Sequence, residues 1–361
     1  MKKIYNNFTV IILMTVFTFM LFKNSIAGNE DRSGQAGATE LLINPWGRSS
    51  GWGLANSSSV RGIEATYLNI AGLAFTPKTE VIFARTQWLK GSGVNISSFG
   101  LSQHVGASGV LGISLMTMSF GEIEITQTDL PEGGIGKFSP TLTNIGIAYS
   151  KAFSNSISGG LNVKIINEAI SNAKATGVAL DAGIQYVTGE RDQIKFGVSM
   201  KNVGTKLRFG GDGLDVRAYF DVTNQNQITV EQKSADYEMP SLINIGASYD
   251  FLIFTGADTT KANHRITLAA NFTSNSFSKD QYSVGLEYGL KSFLMIRGGY
   301  VFEKNILDKV KTTNALSGPC AGLTVEIPLS KDKATTLGID YSYRASNPFQ
   351  GTHCFGVRIN L

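Results

Sequence analysis

The sequence predicts an all-β protein: a transmembrane antiparallel β-barrel of about 14 strands with an N-terminal plug segment. The first observation is a two-residue alternation of apolar and polar side chains from residue 80 to the C-terminus, broken by polar or glycine-rich stretches. The second is composition, because 40 glycines and only 8 prolines among 361 residues suit close-packed strands and tight turns. The third is that long and short breaks alternate along the chain. We therefore expect a signal peptide (1–27), a plug or hatch (28–79) and a barrel (80–361).

The first residues have the pattern of an export signal. Lys2 and Lys3 are followed by an apolar run (8–22) and then by the small residues Ser25 and Ala27. This order is typical of a secretory signal peptide. A membrane-spanning helix needs about 20 apolar residues, and this run is shorter. We expect cleavage after Ala27, and because no cysteine follows directly, a lipid anchor is not expected.

The segment between the signal peptide and the barrel does not alternate. It contains apolar side chains such as Leu41, Trp46 and Leu73, and a glycine-broken run (47–53). Small residues with scattered apolar anchors suit a barrel interior, because turns satisfy the backbone while the large side chains fill space. The alternative is a flexible periplasmic tail, which the apolar density argues against. We therefore predict that this segment plugs the lumen.

The alternation defines the strands one by one. In one segment, Val178, Leu180 and Ala182 share a face, while Asp181 and Gly183 share the other. The same pattern predicts strands near residues 80–89, 93–104, 109–125, 139–153, 157–170, 174–187, 192–201, 241–253, 264–275, 280–289, 293–302, 316–327, 335–344 and 351–361.

The strand count and the connections both favour a membrane barrel. The count is even, as closure with both termini in the periplasm requires. If the first strand runs outward, the long connections (126–138, 202–240 and 303–315) all face the exterior, and most of the others are short. The stretch 255–263 is the longest exception. A soluble β-sandwich would also alternate, but it has no reason to sort connections by strand parity.

One face of the alternating strands carries charges of both signs. Mixed charge inside a barrel favours a salt-bridged, hydrated filling over a pathway selective for one ionic sign. The predicted polar network of the lumen consists of Lys164, Asp181, Lys195, Arg265, Glu287, Arg297, Glu326, Asp340 and Arg358.

The third strand is apolar on both faces. Met116, Met118 and Phe120 lie on one face, while Leu111, Ile113 and Leu115 lie on the other. One of these two sets must point inward, and either would suit a hydrophobic ligand in the lumen.

The sequence contains no pattern that indicates catalysis or a cofactor. The three histidines, His104, His264 and His353, lie at the ends of different strands, and no cluster has metal-ligand spacing. The run Gly91 to Gly93 has no supporting His and Asp pair, so we expect no enzyme activity, no metal and no cofactor. The net charge of +4 is spread singly along the chain, which argues against nucleic acid.

The two cysteines are candidates for a disulfide in an exported chain. A full strand separates Cys320 from Cys354, so their backbones would lie about 10 Å apart within the sheet, beyond bridging distance. A disulfide would require their strand ends to bend together, and the sequence leaves this open.

The N-terminal segment carries a more specific pattern. The run 41–53, followed by Leu68, Asn69, Ile70, Ala71, Gly72 and Leu73, resembles the signature of the PorV/PorQ family of Bacteroidota outer-membrane proteins. These are relatives of the FadL long-chain fatty-acid transporter, whose hatch typically ends in Asn-Pro-Ala-Gly and a hydrophobic residue. Ile70 stands where the proline usually does. Residues 158–162 and 177–186 resemble the middle strands of the family, so the likeness spans nearly the whole mature chain. The matching hatch residues are Asn69, Ala71, Gly72 and Leu73.

The resemblance implies a FadL-like barrel with a non-enzymatic role in the type IX protein secretion pathway. Family members bind C-terminal domains of cargo proteins, dock beside the translocon barrel, or pass cargo to the attachment complex. These proteins, with outer-membrane lipid, are the partners that the likeness implies, and a role in gliding motility stays open. The alternative is a FadL-like transporter that moves a hydrophobic small molecule through its hatch and a lateral opening.

The long connection 202–240 is the predicted partner contact. Its mixture of arginine and aromatic residues is common at protein interfaces, and it is longer than hairpin closure needs. The alternative is a lid or a disordered loop. The predicted contact residues are Arg208, Phe209, Arg217, Tyr219 and Phe220.

Overall fold

The computed structural model describes residues 29–361 except 107–108, 220–225, 255–261, 292, 307, 309–311, 313, 331–334 and 347–348. The predicted signal peptide and Phe220 lie outside the described residues.

Fourteen strands of the described residues close into an antiparallel barrel in which sheet order follows chain order and the first strand pairs with the last. The predicted fold class is confirmed, and every predicted strand is present with small shifts at its ends. The strands are β1 (Thr79–Gln87), β2 (Asn95–Val105), β3 (Gly109–Ser119), β4 (Thr141–Ala152), β5 (Ile157–Ile170), β6 (Ala173–Thr188), β7 (Ile194–Gly204), β8 (Leu242–Ile253), β9 (His264–Asn275), β10 (Gln281–Leu290), β11 (Leu294–Glu303), β12 (Gly318–Pro328), β13 (Thr336–Arg344) and β14 (Thr352–Asn360).

The barrel has its apolar side outward. Phe83, Ile147 and Ile184 are each more than half exposed, and they belong to a belt of such residues around the outer wall. Inward positions such as Asn162 and Gln185 are polar and buried. Water does not favour an apolar surface of this size, whereas the hydrocarbon of a membrane does. The belt therefore fits a barrel whose outer wall contacts lipid.

The long connections lie together at one end of the barrel. They join β3 to β4, β7 to β8, and β11 to β12. We call this the long-loop end and the opposite one the short-turn end. The first of them contains a small ribbon of Ile123–Glu124 paired with Lys137–Phe138, so β3 ends at Ser119 and not near residue 125 as predicted.

The second long connection carries a larger two-stranded ribbon. Val216–Tyr219 pairs with Gln227–Val230, and no side chain described in it is buried. We call residues 215–231 the arm.

A β-bulge interrupts the ladder between β6 and β7. The register shifts between Leu180 and Ala182, so that Lys201 and Asn202 together oppose Asp181. Asn202 has a φ of 59°, and its backbone N–H donates to Asp181 Oδ1 at 2.8 Å. A bulge places two neighbouring residues where one is expected. Lys201 and Asn202 therefore both point into the lumen, and the strand continues to Gly204 instead of ending at 201.

Residues 29–78 occupy the lumen and form short helical turns joined by irregular backbone. Two are α-helical, α1 (Gly47–Gly51) and α2 (Ala65–Leu68). Trp46, Ile63 and Leu73 are almost fully buried in one apolar cluster with β1, β3 and β4. No helix among the described residues is long and apolar enough to cross a membrane. Three further turns are 3-10 helices: Glu30–Arg32, Thr39–Leu42 and Ile70–Phe75.

Candidate functional site

The hatch residues fix the plug to the wall. The Asn69 side chain accepts from the N–H of Ala71 at 3.2 Å, which caps the turn that follows, and donates to the Ile184 carbonyl of β6 at 3.1 Å. The Ser150 hydroxyl of β4 donates to the Ala71 carbonyl at 3.1 Å. Each of these residues therefore connects the plug to a different strand.

Two further hatch residues act through their size. A Cβ added to Gly72 would lie 2.0 Å from the Val60 carbonyl oxygen, so only glycine allows this backbone approach. Leu73 is fully buried and packs against Gly112 of β3. The hatch motif thus closes the plug on itself and against the wall.

The opposite wall holds the plug by close backbone packing. A Cβ added to Gly51 would lie 2.7 Å from the Cα of Gly322 on β12. The plug is consequently hydrogen-bonded on one side and packed through small residues on the other.

The plug separates two cavities, each of about 480 Å³. The cavity at the short-turn end, here the short-turn cavity, is lined mainly by polar and charged side chains from the plug, the β6–β7 turn, β7 to β12 and β14. The residues from the predicted network that line it are Lys195, Arg265, Glu287, Arg297, Glu326 and Arg358.

Every strand-borne cation among the described residues of the short-turn cavity has a carboxylate partner. Glu287 lies between Arg297, at 2.5 Å, and Arg265. Arg358 lies 3.3 Å from Glu326, and Lys195 pairs with a residue that the sequence analysis did not single out, Asp250, at 2.5 Å. The strand-borne cations of this part of the lumen are therefore salt-bridged, whereas Arg61 of the plug lies 4.6 Å above the Phe75 ring and Arg191 of the β6–β7 turn lies 4.2 Å above the Phe254 ring.

The plug takes part in the same ion pairs. Arg48 of α1 lies 3.1 Å from Glu64 and 3.7 Å from Glu80 of β1. Burial lowers the pKa of Arg48, but the carboxylates of Glu64, Asp340 and Glu80 outweigh it and raise the pKa above its ordinary value. Arg48 therefore stays charged and ties the plug to the strands that close the barrel.

The remaining members of the predicted network lie elsewhere in the lumen. Lys164 and Asp181 pair at 2.8 Å in the middle of the barrel, beside the β6–β7 bulge. Asp340 is buried and accepts from the Thr324 hydroxyl. All the predicted residues lie on the inner face, but they form separate groups and not one network.

The cavity at the long-loop end, here the long-loop cavity, is mainly apolar. Met118 and Leu142 line it from β3 and β4, while Leu42 and Leu54 line it from the plug. The methionine face of β3 thus points inward, and Leu111, Ile113 and Leu115 face outward. Its volume lies within the usual range for small-molecule sites, about 300–1,000 Å³.

Two cationic side chains reach this apolar cavity without a carboxylate partner. No carboxylate of the described residues lies within 4.0 Å of Lys201 or Arg344, although both are over nine-tenths buried. Lys201 Nζ lies 3.6 Å from the centre of the Tyr67 ring. Arg344 donates to the Leu316 carbonyl at 3.2 Å, and its Nε has no hydrogen-bond partner among the residues that the structure describes. A buried cation without a counter-charge is costly, and a buried lysine loses its proton readily, so this pair is suited to receive an anionic group, which would favour the charged form of Lys201.

The sequence predicts that Lys201 and Arg344 point inward, but it does not predict their role. Alternation places both on the inner face, together with the residues of the predicted network. Nothing in the sequence shows which cations find carboxylates across the lumen. Asp250 also follows the alternation of β8 and was available to the same argument.

The predicted partner residues divide into two groups. Arg208 pairs with Asp236, and Phe209 stacks on Tyr237 at 5.9 Å, so both belong to a folded base against the barrel rim. Arg217 and Tyr219 are exposed on the arm. One group thus belongs to the base of the connection and the other to the arm.

The cysteines are buried free thiols that contact the plug. The Cys354 Sγ lies 3.5 Å from the Pro45 carbonyl oxygen, and Cys320 packs against Gly53.

Comparison with known structures supports the fold. The crystal structure of the Pseudomonas putida toluene transporter TodX aligns with a TM-score of 0.52 and 11% sequence identity, over 84% of this chain and 93% of that chain. A Pseudomonas aeruginosa FadL homologue aligns with a TM-score of 0.51 and 12% identity, over 88% and 97%. No protein-family model and no curated protein matches the sequence.

The fold is that of FadL-like barrels. Neither neighbour is described as an enzyme. The PorV/PorQ likeness of the sequence stays a prediction.

Proposed function

We propose that this chain is a non-enzymatic outer-membrane transporter that binds a hydrophobic small molecule with an anionic group. The long-loop end faces the exterior in this proposal, since long connections are typical of the outer side of such barrels. The ligand enters the long-loop cavity from outside, and the plug blocks an open passage.

The observation that supports this proposal most strongly is that the mainly apolar long-loop cavity also contains Lys201 and Arg344. Apolar walls would hold a hydrocarbon portion, and the two cations would hold a carboxylate or similar group. In the short-turn cavity, carboxylates of the protein already neutralise the cations of the strands. The long-loop cavity therefore fits an amphipathic anion better.

The wall at β3 offers the ligand no lateral exit. The ladders from β2 through β3 to β4 run without a register shift, so no lateral opening lies in the described part of this wall. The interruption that the described strands do contain is the β6–β7 bulge, next to Lys201.

Calorimetric titration of the purified barrel with decanoate and decanol tests this proposal. The two probes have the same chain length and differ in charge. We expect decanoate to bind more tightly, and Lys201→Met to reduce the difference in affinity between the two probes. Arg265→Met is the matched control, because it removes a cation from the short-turn cavity. Equal affinity for both probes, or no binding of decanoate, would refute the proposal.

The secretion role is a second candidate, and the exposed arm favours it. Val216, Ile228 and Val230 are each at least 40% exposed on the arm, which has two unpaired strand edges among the described residues. Exposed edges of this kind accept further strands. The arm would then contact a cargo domain or the translocon barrel.

A deletion of the arm separates the two functions. Removing residues 215–231 spares Leu207 and Met239, which are buried against β5 and β6. In affinity purification from native outer membranes, the secretion role predicts that co-purifying translocon or cargo proteins are lost with the arm. Recovery of the same proteins without the arm would exclude it as the contact.

A further inference from the structure

A strap formed by the N-terminal part of the plug crosses the long-loop end. We define it as residues 29–42. Arg32 pairs with Glu238 at 3.0 Å and lies 4.1 Å above the Phe277 ring, and the Gly37 N–H donates to the Glu238 carbonyl at 3.0 Å. Ser33 and other strap residues line the long-loop cavity. The position of the strap therefore determines access to that cavity.

The inner end of the strap buries a carboxyl group beside another carboxyl group. Glu40 is 2% exposed, and neither of its carboxyl oxygens makes a well-formed hydrogen bond within the described part of the chain, although the side chains of Glu168 and Asn144 lie beside it. Next to it lies Glu168 of β5, which is also buried and accepts from the Tyr237 hydroxyl. No Lys, Arg or His side chain of the described residues lies within 4.0 Å of either carboxylate. Two ionised carboxylates in such surroundings repel each other and lose hydration.

The other charged and titratable groups around Glu40 do not neutralise it. Lys164, on the same strand as Glu168, is bound to Asp181 and Asn202. Lys201, Arg344 and Tyr67 share a cavity wall with Glu40 but make no ion pair with it. Burial and the neighbouring Glu168 raise the pKa of Tyr237, so its hydroxyl remains a donor.

We propose that Glu40 and Glu168 form a proton-controlled latch: the strap is held against β5 while Glu40 is protonated and is released when both carboxyls are ionised. A protonated Glu40 can donate to the buried carboxylate of Glu168 or to the side-chain oxygen of Asn144 on β4, which has no hydrogen-bond partner among the described residues.

The direction of the pH dependence follows from the ionisation of Glu40. Burial, and next the charge of Glu168, raise the pKa of Glu40 from 4.5 to about 7. Because a released Glu40 would regain its ordinary pKa, protonation favours the closed strap. The preference for closure is full below pH 4.5, falls as the pH rises toward 7, and is constant above that. Across this window the open-to-closed ratio rises by up to about 300-fold.

Release of the latch would connect the long-loop cavity with a smaller cavity beneath it. Glu40 and Tyr67 line both the long-loop cavity and a smaller cavity of about 50 Å³ deeper in the barrel. The strap segment around Glu40 is thus part of the partition between them. The latch is a property of the chain without ligand, so it does not depend on the proposed transport function.

Pulsed electron paramagnetic resonance tests the latch. Nitroxides are attached at Ser33→Cys on the strap and Asn172→Cys at the β5–β6 turn, both exposed, while Cys320 and Cys354 stay buried. We expect one narrow distance distribution at pH 4.5 and a second, longer population that grows toward pH 8. An unchanged distribution over this range would overturn the latch.

Variants identify the responsible group. Glu40→Gln should abolish the pH response, and Glu168→Gln should shift the transition to lower pH and reduce its amplitude. Glu238→Gln is the matched control, because it weakens the strap through an ion pair whose charge does not change between pH 6 and 8; it should keep the response. A full response in Glu40→Gln would also refute the proposal, and the titration of the labelled parent protein decides the case if that variant does not fold.

Discussion

The two cavities of this barrel have equal volume, but they differ in whether carboxylates pair with the strand-borne cations that line them. In the short-turn cavity, Glu287 neutralises two arginines at once. In the long-loop cavity, Lys201 and Arg344 reach a mainly apolar space, and no carboxylate among the described residues lies within 4.0 Å of either. Since the same alternating strands build both, the difference shows that inward charge alone does not define a site. What distinguishes the proposed binding cavity from the salt-bridged one is whether carboxylates already neutralise the cations on its strands.

The largest expected effect is a loss of stability from a substitution in the short-turn cavity. Glu287→Gln leaves Arg297, which is 5% exposed, without its counter-charge, and we expect a loss of about 3 kcal/mol in unfolding free energy. Urea unfolding of the barrel in lipid vesicles, followed by tryptophan fluorescence, measures it. Glu238→Gln removes a half-exposed carboxylate and should change stability little. Equal losses in the two variants would remove the contrast between paired filling and surface charge.

The next effect concerns the long-loop cavity, where a substitution should lower the affinity for the ligand without lowering stability. Lys201→Met removes a buried amine that pairs with no carboxylate in the described part of the chain, so the unfolding free energy should stay the same or increase. The affinity for decanoate should fall about tenfold, the size expected for one hydrogen bond to a charged group. Calorimetry and urea unfolding on the same sample measure both. A destabilised variant with unchanged affinity would mean that Lys201 stabilises the lumen and does not bind the ligand.

The smallest effect concerns the plug that separates the cavities. Asn69→Ala removes the cap on the turn after it and the hydrogen bond to Ile184, a loss of about 1 kcal/mol. We expect brief conducting events in planar bilayers that the unsubstituted barrel lacks. Asn167→Ala, whose side chain contacts Thr176, is the control. Identical recordings from both variants would show that this contact does not keep the cavities apart.

The strands were predictable because the membrane imposes a simple rule on each residue. A side chain of a spanning strand contacts either lipid or lumen, so alternation determines its side, as in Val178 and Asp181. The rule fails where the backbone leaves the regular ladder. At the β6–β7 bulge, Asn202 joins Lys201 on the inner face, and no period-of-two pattern marks that position.

The candidate site was less predictable, because it depends on contacts across the lumen. Which face of β3 points inward was ambiguous from its sequence, since both faces are apolar. The partner of Lys195 is Asp250, 55 residues away, and the neighbour of Glu40 is Glu168 on a distant strand. Spacing along the chain carries no information on such pairs. The hatch could be located by its motif, but its contacts with Ile184 and Ser150 required the closed barrel.

A crystal structure of the barrel grown with 10-bromodecanoate tests the central claim most directly. Anomalous scattering locates the bromine, and the density shows the carboxylate. We predict that the carboxylate lies about 3 Å from Lys201 Nζ or the Arg344 guanidinium, with the bromine among the apolar residues of the long-loop cavity. Bromine in the short-turn cavity, or only on the outer wall, would contradict the account.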